Sequence, residues 1–181
     1  MQRKIARMSP RPELIEAPLS RDELGALYRS LCDDPLYANI PGKIELDTWG
    51  RLLMSPASNY HAALQSRLIQ LLGVLGGQVF VECSVVTASG VFVADAAWAS
   101  AEFIQAHGFE TPYTAAPELC IAVVSPSNSV KELYEKRTAY LCAGAREMWI
   151  VYPESKRLEF YASRGRVEAS AFPVELSTLF G

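Results

Sequence analysis

The sequence predicts a mixed α/β (α+β) domain in which a mixed central β-sheet lies between helices. Three observations carry that expectation. Segments with apolar residues at helical spacing alternate with runs rich in β-branched residues. One run, LCIAVV at residues 119–124, is apolar at every position, as a strand covered on both faces must be. A chain of 181 residues, 50% hydrophobic and 20% charged, suits one domain that buries about 70% of its extended surface without a disulfide or metal staple.

The elements follow in order. Residues 1–19 carry Pro10, Pro12 and Pro18 among charges and show no periodicity, which reads as a flexible leader before a single domain over 20–181. Ser20 and Glu23 form a capping-box signature for a helix to about Cys32, stopped by Asp33, Asp34 and Pro35. Two short strands, near 43–46 and 51–54, flank a turn at Gly50. Ser58 or Asn59 caps a helix with Leu64, Leu68, Leu71, Leu72 and Leu75 at helical spacing, closed by Gly76 and Gly77. Residues 79–86 and 91–94 read as a hairpin around Ala88, Ser89 and Gly90. Ser100 caps a short helix to His107. A strand at 119–124 then precedes a helix that Ser129 and Glu132 open and Gly144 ends. Strands at 148–152 and 158–161 close the domain.

Composition excludes several classes. Lys and Arg number 17 against 20 Asp and Glu, a formal charge of −3, so the chain does not wrap nucleic acid by global charge, though a local basic groove is compatible with it. The four cysteines form no CxxC pair, and with two histidines no zinc spacing can be built. The most apolar stretch is broken by Gln70, Gly73 and Glu82, so no membrane span is expected and a reducing, cytoplasmic setting is the default. Phosphate-loop and nucleophile-elbow motifs are absent from the sequence.

A few ionisable residues stand among apolar neighbours. Asp95 closes the run at 91–94, where a carboxylate is costly unless it caps, hydrogen-bonds or binds a cation. Both a structural turn and a metal or catalytic role are open to it. Glu45, between Ile44 and Leu46, falls on the solvent face by strand alternation, and Glu82 reads as outward or as a buried partner of a cation. On the helix after Ser129, Val130, Leu133, Tyr134, Tyr140 and Leu141 define the apolar stripe, with Arg137 near its middle and Lys136 on its flank. Those cations either snorkel along the core or point at something negative. His61 reads as a packing or capping residue.

Four segments, in order, resemble the Uma-two family of restriction endonucleases within the PD-(D/E)xK nuclease superfamily. They are KIELDTWGRLLMSP at 43–56, VFVADAAW at 91–98, APELCIAVVSPS at 116–127 and GAREMWIVYP at 144–153. The resemblance implies a restriction-endonuclease-like fold and hydrolysis of DNA phosphodiester bonds. It assigns catalysis to Glu45, Asp95 and Lys136, with Asp95 and Glu45 as ligands of a Mg²⁺ ion and Lys136 beside the attacking water. Ser125, Ser127 and Arg137 are candidates for holding phosphate. DNA is the implied partner, and a homodimer is in keeping with the class because two strand cuts need two sites.

One position departs from the family pattern. Ala122 stands where members carry Glu, and a methyl group cannot ligate a cation. Glu118 shares that strand face but lies about 13 Å along it, and Glu132 and Glu135 are helical. The expectation is an impaired nuclease, or an inactive homologue serving as a nucleic-acid- or protein-binding module.

Overall fold

The structure is a computed structural model that describes residues 17–37, 42–55, 58–126 and 128–181. Residues 1–16 of the expected leader, and Ser127, lie outside the described residues. Helix α1 (Arg21–Asp33) starts at the predicted capping box: the Ser20 hydroxyl accepts from the Glu23 N–H, and the Glu23 carboxylate accepts from the Ser20 N–H. Strands β1 (Lys43–Asp47) and β2 (Leu52–Ser55) pair antiparallel. Helix α2 (Asn59–Leu72) takes Ser58 as its cap. The hairpin is longer than predicted, with β3 (Gln78–Thr87) and β4 (Gly90–Ala99). Asp95 therefore sits inside β4 and not at a strand end. The alanines around it have weak strand propensity and hid the continuation; pairing with β3 overrides that preference.

Helix α3 (Ala101–His107), β5 (Leu119–Val123), α4 (Val130–Cys142), β6 (Glu147–Tyr152) and β7 (Arg157–Ala162) follow as expected. A three-residue β8 (Gly165–Val167), too short to leave a pattern, pairs with β7. The sheet runs β2-β1-β4-β5-β6-β7-β8, with β3 on the other edge of β4. β5 and β6 are parallel, and α4 makes the crossover between them.

Strand alternation divides the core. Cys120 and Ala122 join Leu133, Ala139 and Tyr140 of α4, whereas Leu119, Ile121 and Val123 join Leu64, Leu68 and Leu72 of α2. Leu24 and Tyr28 of α1 pack with Leu46, Val91 and Val93. The sheet thus has α4 on one face and α2 on the other, with α1 covering the β1 end.

The feature that positions the site is a fork in the sheet. β3 occupies one edge of β4 along its length. On the opposite edge, β1 pairs at Gly90 and Val91, and β5 pairs only from Ala96 to Trp98. Between these two contacts the edge of β4 has no strand partner, and its backbone groups must be satisfied some other way. Phe92, Ala94 and Ala97 all join the cluster against α4, so the alternation slips by one residue near Asp95. Across the hairpin from that slip, Glu82 adopts a left-handed φ of 55°.

Candidate active site

Side chains fill the fork. The Glu45 Oε1 accepts from the Val93 N–H at 2.8 Å, and the Lys43 Nζ donates to the Val93 carbonyl at 3.3 Å. The Asp95 Oδ2 accepts from the Val123 N–H at 2.7 Å, and the Gln65 amide donates to the Asp95 carbonyl at 3.2 Å. The acids at this point are therefore partly a device for satisfying open backbone.

Each acid also holds a cation. The Lys43 Nζ lies 2.7 Å and the His61 Nε2 3.0 Å from the Asp95 Oδ1, with the Asp95 side chain only 1% exposed. The Lys136 Nζ donates to both oxygens of Glu45, at 2.8 and 2.7 Å. Burial alone would raise the Asp95 pKa; the hydrogen bond from His61 and the Lys43 ammonium outweigh it and hold the carboxyl below its usual value. An ionised carboxylate only accepts hydrogen bonds, so His61 carries its proton on Nε2.

Lys43, His61, Asp95 and Lys136 border one small cavity of about 30 Å³, whose wall also includes Glu82 and Ala122. Ser125 and Asn128 line it as well. Asp95 and Lys136 of the expected triad thus meet at one place. Glu45 stands behind Lys136 and is not part of the wall. It is buried at 4% exposure, not solvent-facing, because α1 covers one face of β1 and Lys136 reaches the other. The stripe on α4 is also rotated from the predicted one: Leu133, Lys136, Ala139 and Tyr140 are buried, while Val130 and Tyr134 are 70% and 51% exposed. Attraction to Glu45 turns Lys136 inward. Arg137 points elsewhere, its guanidinium over the Tyr134 and Tyr161 rings at 4.3 and 4.8 Å.

Sequence reasoning missed Lys43, His61 and Gln65. Signals were there: Lys43 is two residues from Glu45 on one strand, and His61, Leu64, Gln65 and Leu68 share one helix face. The acids considered as replacements for the missing Glu are occupied elsewhere. Glu118 accepts from the Ser100 N–H, Glu132 closes the α4 capping box, and Glu135 pairs with Lys131. Glu82 is the second acid at the cavity wall.

The donor set can be tested against the magnesium ion that the resemblance implies. Mg²⁺ demands octahedral oxygen ligands and usually keeps several waters. The cavity has room for one or two waters, Ala122 offers it a methyl group, and Asp95 already accepts from Lys43, His61 and Val123. Among the described residues no group of three or more His, Cys, Asp or Glu side chains could hold a metal ion. As these side chains stand, they do not fit a hydrated Mg²⁺.

The mixed sheet flanked by helices matches a nuclease-like fold. One similar solved structure is described as a "putative nuclease belonging to DUF820" from Anabaena variabilis ATCC 29413; it is 16% identical, covers 80% of this chain and 94% of its own, and superposes with a TM-score of 0.65. The family model named Uma2 and described as "Putative restriction endonuclease" matches residues 28–179, and the chain belongs to that family. No curated protein matches the chain. Among the described residues no helix is long and apolar enough to cross a membrane.

Proposed function

We propose that this chain is a DNA nuclease homologue of the restriction-endonuclease class, acting in a reducing, cytoplasmic setting, whose phosphodiester hydrolysis is impaired. The observation that carries the reading is the convergence of Asp95, Lys43, His61 and Lys136 on one cavity with Ala122 in its wall. The Lys43 and Lys136 ammoniums each commit two of their three protons to the groups named above, and the third can be donated to a phosphate oxygen. Asp95 orients His61, whose ring can hold or pass a proton. The impairment follows from Ala122 and from carboxylates already bound to lysines, which leave little to grip a divalent ion.

The same saturation favours a second reading, in which the chain binds nucleic acid without cutting it. One experiment separates them. The purified full-length protein is incubated with supercoiled plasmid and Mg²⁺ or Mn²⁺, beside Ala122→Glu and the double variant Ala122→Glu/Asp95→Ala. Weak nicking by the parent, a gain on Ala122→Glu and loss in the double variant support the nuclease reading. Inert protein in every lane, with salt-sensitive binding to the plasmid, supports the second.

A further inference from the structure

A larger cavity adjoins the small one. It measures about 420 Å³, within the range of small-molecule sites, and shares His61, Ser125 and Asn128 with the 30 Å³ cavity. The rest of its wall has a different chemistry: Tyr60 at the start of α2, Val124 and Pro126 after β5, and Tyr152 and Pro153 at the end of β6. Tyr60 is 47% exposed, and among the described residues its ring meets no other aromatic ring or cation. Apart from the titratable His61, the charged group among the described lining residues is the Glu154 carboxylate.

We propose that this cavity takes an unstacked nucleobase of the strand whose phosphate sits at Lys43 and Lys136, with Tyr60 as its stacking platform. The inference rests on the nucleic-acid reading above and adds the kind of strand recognised. A second phosphate is the wrong occupant, because among the described lining residues no lysine or arginine offsets Glu154, whereas Lys43 and Lys136 offset the acids of the smaller cavity. A planar, uncharged, polarisable group suits the Tyr60 ring and two prolines, while the Tyr152 ring already carries the Arg157 guanidinium at 4.3 Å; every base offers such a face. The shared wall supplies continuity: a nucleotide spans from phosphate to base, and the two cavities meet at His61. A base inside a duplex cannot enter, so the chain prefers single strands, frayed ends or flipped nucleotides to intact duplex.

The test is fluorescence anisotropy of the full-length protein with a labelled single-stranded dodecamer in EDTA, where cleavage does not interfere. The comparisons are the matching duplex, the same strand with one abasic position, and the variants Tyr60→Ala and Tyr60→Phe. The expected results are tighter binding to the single strand than to the duplex, and a loss of roughly tenfold for Tyr60→Ala. Tyr60→Phe, which keeps the ring, binds like the parent, and the abasic strand weakens the parent but not Tyr60→Ala. Salt-sensitive binding that is indifferent to Tyr60 and to the abasic site would overturn the base site and leave the nucleic-acid reading standing. Failure to bind any oligonucleotide overturns both.

Discussion

Lys136 on α4 and Glu45 on β1, 91 residues apart, meet in a buried ion pair in which one ammonium donates to both carboxylate oxygens at 2.8 and 2.7 Å. The pair closes the fork: Glu45 also takes the Val93 N–H, so it ties helix, strand and open sheet edge together. Such pairs contribute little net stability when complete and cost much when halved, because the remaining charge stays buried.

Lys136→Met should therefore destabilise the protein by about 3–5 kcal/mol. The double variant Lys136→Met/Glu45→Gln should recover most of that loss, since Gln keeps an acceptor for the Val93 N–H and removes the stranded charge. Urea denaturation of the two variants and the parent checks this. Equal losses in the single and double variants would mean that the lysine acts through its packing and not through its charge.

Acid should unfold the fork through Asp95. Its pKa is lowered in the folded state, so its contribution is fully present above the ordinary Asp value of about 3.9 and is lost as pH falls through the folded value. The stability gap between the parent and Asp95→Asn should be widest near neutrality and shrink below about pH 4. Urea midpoints measured from pH 7 down to pH 3 report it; a gap that does not change with pH would show that the charge on Asp95 is not what stabilises the fold.

Local chemistry explains which parts of this fold could be read in advance. Both capping boxes, at Ser20 and Ser129, depend on residues three apart, and both helices start there. The apolar run at 119–124 marks a strand covered on both faces because the sheet centre imposes that composition. Alternation misplaces Glu45 because it assigns faces only when one face is wet, and β1 has α1 over one side and a lysine from α4 against the other. The inward turn of Lys136 has the same origin, since its partner is remote in sequence. The left-handed Glu82 and the slip at Asp95 lie where β1 and β5 part on one edge of β4, a tertiary feature that no periodicity within a single strand encodes.

Tyr140 offers a test of packing beside the site. Its ring meets Phe92 edge-to-face at 6.4 Å, yet among the described residues its buried hydroxyl has no hydrogen-bond partner. Burial pushes its pKa well above the usual value, so the hydroxyl stays neutral. Tyr140→Phe removes the unsatisfied group and keeps the ring, and should leave the protein as stable as the parent or about 1–3 kcal/mol more stable. A lower midpoint in thermal or urea unfolding would reveal a buried water serving that hydroxyl.

Gly90 sets where β1 joins β4, and so where the fork opens. Its φ of 141° is one that side chains rarely adopt, and a Cβ there would drive into the Leu46 carbonyl oxygen and press on the Asp47 backbone at 3.2 Å. Asp47 is its register partner, two residues from Glu45 on the same strand. Gly144, just after α4, has a φ of 113° but open space around its Cβ position. Ala at position 144 thus meets only the conformational penalty, about 1–2 kcal/mol, whereas Ala at 90 meets that penalty and a collision with backbone that cannot rotate away. Gly90→Ala should be clearly the more destabilising of the two in urea, and should also weaken protection of the Val93 amide from hydrogen exchange, because the collision pushes β1 and Glu45 away from it. Equal destabilisation by the two substitutions would show that β1 can move aside freely, and that the fork is not held open at Gly90.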